Sequence, residues 1–174
     1  MNPVLWSPPP EAAAATAIAG FQHRFAARLG RSLPDWESFW QASVDELAAF
    51  WSQVWDEFGV VAATPPSRVL SEGASMEDAR WFEGARLNFA ENLLRRDDDT
   101  PALVAHGEDG RRDVVSWAEL QSRVAALAAA LADAGVGPGD RVAAVIPNIP
   151  EAVVGMLATA ARGGTWSSCS PDFG

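Results

Sequence analysis

The chain has 174 residues, a formal charge of −10 and 48% hydrophobic residues. That length fits one large domain or one and a half small ones, and the hydrophobic content excludes wholesale disorder. The negative balance argues against a nucleic-acid or anionic-membrane surface, although backbone N–H groups can still hold a nucleotide locally.

From the amino end, Ser7-Pro-Pro-Pro10 reads as a stiff lead-in. Residues 11–29 read as one helix, with Ile18, Phe21, Phe25 and Leu29 at helical spacing and Gly30 as a stop. His23 sits among polar neighbours without a second ligand at i+4, so it reads as a surface residue. Asp35 is an N-cap for a helix over 35–42 with Trp36, Phe39 and Trp40 on its apolar face. Ser43 and Glu46 have capping-box spacing, which predicts a further helix over 43–58. Its buried side would carry Leu47, Trp51, Val54, Trp55 and Phe58. Four tryptophans within twenty residues could form an aromatic ligand cage, but their helical spacing favours core packing.

Thr64-Pro-Pro-Ser67 reads as a linker, and residues 69–84 as a loop with a brief strand near 80–82. Asn88 signals a short helix over 88–95, and residues 95–100 a charged, solvated turn. Residues 102–105 and 112–115 flank a turn at 106–110 and predict a hairpin, with His106 in the turn. Ser116 and Glu119 repeat the capping box ahead of a helix carrying Leu120, Val124, Leu127 and Leu131 on one face. That helix stops at Gly135. The glycines of 135–139 lack G-x-G-x-x-G spacing and precede a strand, so they form an αβ turn instead of a dinucleotide loop.

Residues 140–146 are a short apolar run of the kind buried on both faces of a sheet. Pro150 suits the first turn of a helix over 151–162, Gly163-Gly164 ends it, and residues 165–169 form a second strand. Together they predict a parallel βαβ unit with a right-handed crossover. The fold class is therefore α/β, with mostly helical residues 1–100 ahead of a hairpin, a helix and the βαβ unit over 101–174. In open parallel sheets ligands bind beyond the carboxyl ends of the strands. Ser170, Pro171, Asp172, Phe173 and Gly174 leave the last strand there, with Pro171 stiffening the loop and Gly174 permitting close backbone approach. The other reading is an ordinary turn.

Every basic residue is arginine, so no reaction that needs a lysine runs on these residues alone. Cys169 is the only cysteine, which excludes an internal disulfide and a cysteine-based zinc site and suits a reducing compartment. The amino end lacks the basic start of a signal peptide, and no apolar run approaches the ~20 residues of a membrane span. A soluble, cytoplasmic protein is expected. No HExxH, Walker loop, G-x-S-x-G or cysteine–histidine pair is present, and the scattered carboxylates nominate no acid–base pair. No catalytic or metal-binding residue is expected here.

Three stretches carry a resemblance. In this order, Trp81-Phe-Glu-Gly-Ala-Arg-Leu-Asn-Phe-Ala-Glu-Asn-Leu-Leu94, Ser116-Trp-Ala-Glu-Leu120 and Gly137-Pro-Gly-Asp-Arg-Val-Ala143 resemble the amino-terminal part of acyl-CoA synthetases, members of the adenylate-forming superfamily. The aromatic helices of 36–58 are similar to the amino-terminal extension of the acetyl-CoA synthetase group. Within that group, residues 85–92 and Gly163-Gly-Thr-Trp-Ser-Ser-Cys-Ser-Pro-Asp-Phe-Gly174 are most similar to the branch that acts on acetoacetate. The resemblance covers the chain from about Arg24 onward.

It implies that residues 1–100 are the extension and 101–174 an incomplete beginning of the AMP-binding domain. It also implies a ligase using ATP, Mg2+ and coenzyme A. A carboxylate attacks ATP to give an acyl-adenylate and pyrophosphate, and the thiol of coenzyme A then displaces AMP. Acetoacetate, ATP and coenzyme A would be small-molecule substrates bound through the rest of the enzyme, none of them by this segment alone. Ser170 to Gly174 would lie on the coenzyme A and acyl side of the site, where Asp172 would need an arginine partner to sit beside anionic substrates. The family's lysine-ended phosphate loop, adenine-binding acidic motif and catalytic lysine are missing from these residues. That implies about the first quarter of such an enzyme, inactive alone. A ligase for another short acid and a free-standing, non-catalytic interaction module are the alternative readings.

Overall fold

The computed structural model describes residues 5–71, 73 and 75–173. The chain divides into two compact units. One takes in the described residues through Val60 together with Thr64–Ala85; the other takes in Val61–Ala63 and the described residues from Arg86 onward.

In the first unit, helices α1 (Pro10–Ala14) and α2 (Ala17–Leu29) are separate where the sequence reads as one. Thr16 is the cause. Its backbone is extended, its hydroxyl donates to the Ala13 carbonyl at 2.8 Å, and it accepts the Ala19 N–H at 3.3 Å. One side chain thus closes the first helix and caps the second.

Helix α3 (Trp36–Asp45) starts as predicted, with the Asp35 carboxylate accepting the Ser38 N–H at 2.8 Å. That bond holds the Asp35 carboxyl below its ordinary pKa. The helix then runs past Ser43, which contradicts the expected break there. The Ser43 hydroxyl donates back to the Trp40 carbonyl at 2.7 Å, as a serine inside a helix does, so no capping box forms. The break falls at Glu46 (φ −113°, ψ 49°), ahead of α4 (Leu47–Glu57).

Phenylalanines, not tryptophans, make the core of this unit. Phe21, Phe25, Leu33, Phe39 and Ala42 are buried with Phe50 packed against them, and the phenylalanine rings lie 5.5–6.4 Å apart. Trp36 and Phe58, expected on buried faces, keep 63% and 61% of their surface, and Leu47, Trp40 and Trp51 are also exposed. For Trp51 the reason is the phase of α4. Residues 50, 53 and 57 share the face turned towards α2, so Gln53 is buried while Trp51 is displaced to the margin.

Polar pairs fix that phase. Arg24 Nε donates to Glu57 Oε2 at 2.7 Å, and Arg28 donates to Ser52 Oγ at 2.7 Å and pairs with Asp56. The Arg24 hydrogen bond holds the Glu57 carboxyl below its ordinary pKa and raises that of Arg24 itself.

Strand β1 (Arg68–Ser71) pairs antiparallel with β2 (Arg80–Glu83), with Leu70 opposite Trp81. The second strand was expected; the first falls in a stretch read as loop, because four residues with two apolar side chains carry too little pattern. Trp81 meets Trp51 at 5.9 Å and Phe82 stacks on Trp55 at 4.7 Å. Phe82 adopts φ 47°, a left-handed conformation that bulky residues rarely take, with its ring against Trp55.

In the second unit, α5 (Phe89–Leu93) is followed by the hairpin β3 (Pro101–His106) and β4 (Arg112–Ser116). Helix α6 (Trp117–Asp133), strand β5 (Arg141–Val145), helix α7 (Pro150–Ala161) and strand β6 (Thr165–Cys169) complete it. In the charged turn before β3, the Asp98 carboxyl is held below its ordinary pKa, first by Thr100 and then by Arg96. The hairpin forms as predicted, except that His106 lies opposite Arg112 as the last residue of β3 and not in the turn. Ser116 caps α6 by accepting the Glu119 N–H at 3.2 Å, while the Glu119 carboxylate pairs with Arg123. Strands β5 and β6 are parallel, with Arg141 opposite Thr165 and Val145 opposite Cys169. Among the described residues β5 is not covered on both faces, contrary to expectation. Val142 and Ala144, on the face of Trp166, are half-buried, whereas Val145 keeps 73% of its surface.

Helix α7 holds this unit together. Leu157, Ala158 and Thr159 are fully buried, in a core with Ala90, Val115, Leu120 and Val124. The Thr159 hydroxyl donates to the Gly155 carbonyl at 2.8 Å, which satisfies it inside the helix. Pro150 occupies the first turn, and Gly163 takes φ 74° to send the chain back into β6.

Gly155 is where α7 meets the sheet: a Cβ there would lie 2.7 Å from Cη2 and 3.0 Å from Cζ3 of Trp166. We therefore expect Gly155→Ala to lower stability by about 1–3 kcal/mol through overpacking, measured by urea denaturation. Combined with Trp166→Leu, the cost should fall well below the sum of the two single changes. A neutral Gly155→Ala, or strict additivity, would contradict this packing.

Candidate functional site

The carboxyl ends of β5 and β6 lie side by side, and the Ile146 N–H continues their ladder by donating to the Cys169 carbonyl at 3.0 Å. From β5 the chain enters Pro147-Asn148-Ile149, where the Ile149 N–H donates to the Pro147 carbonyl at 2.8 Å before Pro150 opens α7. From β6 it enters Ser170 and a single 3-10 turn, Pro171–Phe173.

Ser170 organises that turn. Its hydroxyl donates to Asp172 Oδ2 at 2.8 Å and accepts the Asp172 N–H at 3.2 Å, and its carbonyl accepts the Phe173 N–H at 3.2 Å. Pro171 fits because the first position of such a turn needs no N–H. Phe173 keeps 81% of its surface. Gly174, the last of the five expected site residues, lies outside the described residues.

A cleft of about 940 Å³ opens at this edge. Asn148, Pro150, Ser170 and Asp172 line it, and the β3–β4 hairpin contributes His106, Arg111 and Asp113. Arg123 of α6 and Glu151 of α7 also face it. Sequence reading brought Ser170 and Asp172 here but not the hairpin wall. The available signal was weak: taking 106 and 112 as a cross-strand pair, instead of placing 106 in the turn, sets His106 at the strand end.

Both arginines of the cleft are paired with carboxylates. Arg111 Nε lies 3.1 Å from Asp113 Oδ2, and Arg123 reaches Glu151 at 3.8 Å as well as Glu119. Four carboxylates (Glu108, Asp113, Glu151 and Asp172) line the cleft against two guanidinium groups. Asp172 takes a serine hydroxyl as its partner here. Such a lining does not cradle phosphate, which needs convergent donors and uncompensated cations. No group of three or more His, Cys, Asp or Glu side chains among the described residues is arranged to hold a metal ion. With no lysine in the chain, these residues fit neither a nucleotide triphosphate nor Mg2+. What the cleft offers is shape, hydrogen-bonding groups and an excess of carboxylate over guanidinium.

Residues 36–93 match the family model "Acetyl-coenzyme A synthetase N-terminus", and residues 89–174 match "AMP-binding enzyme". The acetoacetyl-coenzyme A synthetase of Rhizobium meliloti (strain 1021) is 46% identical over 170 residues, covering 98% of this chain and 26% of that protein. The acetoacetyl-CoA synthetase of Xenopus tropicalis is 36% identical over 174 residues, again 98% of this chain and 26% of that one. The solved structure of acetoacetyl-CoA synthetase from Streptomyces lividans superposes with a TM-score of 0.90 at 46% identity, over 98% of this chain and 27% of that chain. The chain thus spans about a quarter of the length of the curated relatives it matches. It belongs to the AMP-binding, adenylate-forming enzymes, as a homologue of the amino-terminal quarter of acetoacetyl-CoA synthetases.

Proposed function

We propose that the chain is the amino-terminal part of an ATP-dependent acid–thiol ligase that joins acetoacetate to coenzyme A through an acyl-adenylate. The observation that carries this reading is 46% identity across 98% of the chain, together with a fold superposing at a TM-score of 0.90. Residues 1–100 are then the helical extension and 101–174 the opening of the AMP-binding domain. ATP, Mg2+, coenzyme A and acetoacetate are the small molecules of the whole enzyme, which works in the cytoplasm. Among the described residues, no helix is long and apolar enough to cross a membrane. A second acid is a real competitor, since "Malonamoyl-CoA synthetase vrtB" of Penicillium aethiopicum is 34% identical over 91% of this chain.

The role of this chain in the reaction is to shape the site, not to carry a chemical step. Ser170 to Gly174 emerge at the carboxyl edge of the parallel strands, in the position where open sheets bind ligands. The Ser170–Asp172 hydrogen bonds fix the loop, and Phe173 projects from it. In this reading the loop forms a wall on the acyl and thiol side.

Two outcomes follow. ATP–pyrophosphate exchange by residues 1–174 alone should stay at background with acetoacetate. The whole enzyme should exchange with acetoacetate in preference to acetate; exchange by the segment alone, or preference for another acid, would contradict the proposal. In that enzyme Asp172→Ala and Phe173→Ala should spare adenylation and raise the coenzyme A half-saturation about threefold or more in thioester formation. If both half-reactions and the coenzyme A dependence are unchanged, the loop is only a turn.

A further inference from the structure

Val61–Ala63 sit apart from their neighbours in sequence: Val60 and Thr64 belong to one compact unit, while these three residues belong to the other. Burial alone does not hold them there: Ala62 is half-buried, but Val61 keeps 39% of its surface and Ala63 is exposed. Asn92 holds them as well. Its Oδ1 accepts the Val61 N–H at 2.8 Å, and its Nδ2 donates to the Val61 carbonyl at 2.8 Å. Two residues on, the Ala63 N–H donates to the Arg86 carbonyl at 2.7 Å.

One planar side-chain amide thus takes both backbone groups of a single residue, reproducing the paired bonds of an antiparallel ladder. It reads backbone only, so the Val61 side chain is not part of the recognition. Asn92 is itself anchored. Its Nδ2 also donates to the Asn88 carbonyl at 3.0 Å, and the Asn88 side chain donates to the carbonyls of Ala160 and Ala161 at the end of α7, at 3.0 and 3.2 Å. One turn of α5 therefore grips the end of α7 through its first asparagine and the 61–63 segment through its second.

We propose that Asn92 is a clasp residue that holds Val61–Ala63 as a releasable strap on α5, and that the strap opens as a separate step ahead of the α6–α7 core. Exposed backbone hydrogen bonds with few buried contacts are where local opening occurs first. This holds whether or not the ligase reading is correct, because it uses only contacts within this chain.

Hydrogen exchange on residues 1–174 tests it, read at the amide of Ala63, whose own acceptor is the Arg86 carbonyl. Asn92→Leu removes both clasp bonds, and Val61→Pro removes the donor from the strap itself. Each should speed Ala63 exchange about tenfold or more, the scale of losing a hydrogen bond or two, with Leu157 unchanged. Val61→Ala, which keeps the backbone groups, should stay within about twofold. The proposal is overturned if Ala63 is unaffected by both clasp variants, or if Val61→Ala acts as strongly. It is also overturned if Leu157 accelerates in step with Ala63, because the strap would then open only with the core. Should Asn92→Leu not fold, Val61→Pro gives the same reading from the other partner.

Discussion

Through its middle turns, helix α7 leaves little for solvent: Leu157, Ala158 and Thr159 are fully buried and Val154 nearly so. A helix covered on this many sides demands partners in several directions, and the second unit consists largely of those partners. Helix α6 brings Leu120 and Val124, the hairpin brings Val115, and α5 brings Ala90. Strand β6 brings Trp166, which approaches so closely that only a glycine fits at 155. Even the polar end of the helix is covered, since two of its last carbonyls accept from Asn88. The position of the cleft follows. Pro150 and Glu151 at the start of α7 form part of its lining, and the turn at Gly163 sets where β6 begins and hence where Ser170 emerges.

Legibility in the sequence tracked how local the determinants are. The βαβ unit, the hairpin and α6 could be read because short-range chemistry marks their ends: Pro150, Gly163, the Ser116 cap and the turn at 107–110. The first unit was read less well, because its errors depend on tertiary choice. Ser43 has the spacing of a cap but lies inside a helix, since α3 continues to Asp45. Trp36, Trp40 and Trp51 have the spacing of a core face, but α3 buries Phe39 and Ala42 instead, and α4 turns Phe50 and Gln53 inward rather than Trp51. Thr16 could have been recognised as a break, because threonine ahead of a helix is a common cap. Strand β1 could not, because only its pairing with β2 defines it. Of the candidate site, the loop was legible through the rule for parallel strand ends, whereas the hairpin wall required the packing of β3–β4 onto the rest of the unit.

The electrostatics set what the strand ends of this chain can do. Activating a carboxylate on a nucleotide brings several anions together and calls for cations aimed at them. In this chain arginines are paired with its own carboxylates, on α2 and α4, on the hairpin and between α6 and α7. The residues at the strand ends offer shape, a serine-bound aspartate and an exposed ring. A scaffold of this kind offers a cleft and its walls but few uncompensated cations.

The central claim is that this chain is interchangeable with the first quarter of an acetoacetate–CoA ligase. Grafting residues 1–174 in place of the matching quarter of the Streptomyces lividans relative, and assaying acetoacetyl-CoA formation from acetoacetate, ATP and coenzyme A, tests it most directly. The account predicts a folded hybrid with activity within about tenfold of the parent, a difference of roughly 1.4 kcal/mol in the barrier. A soluble, folded hybrid that forms neither the adenylate nor the thioester would contradict it.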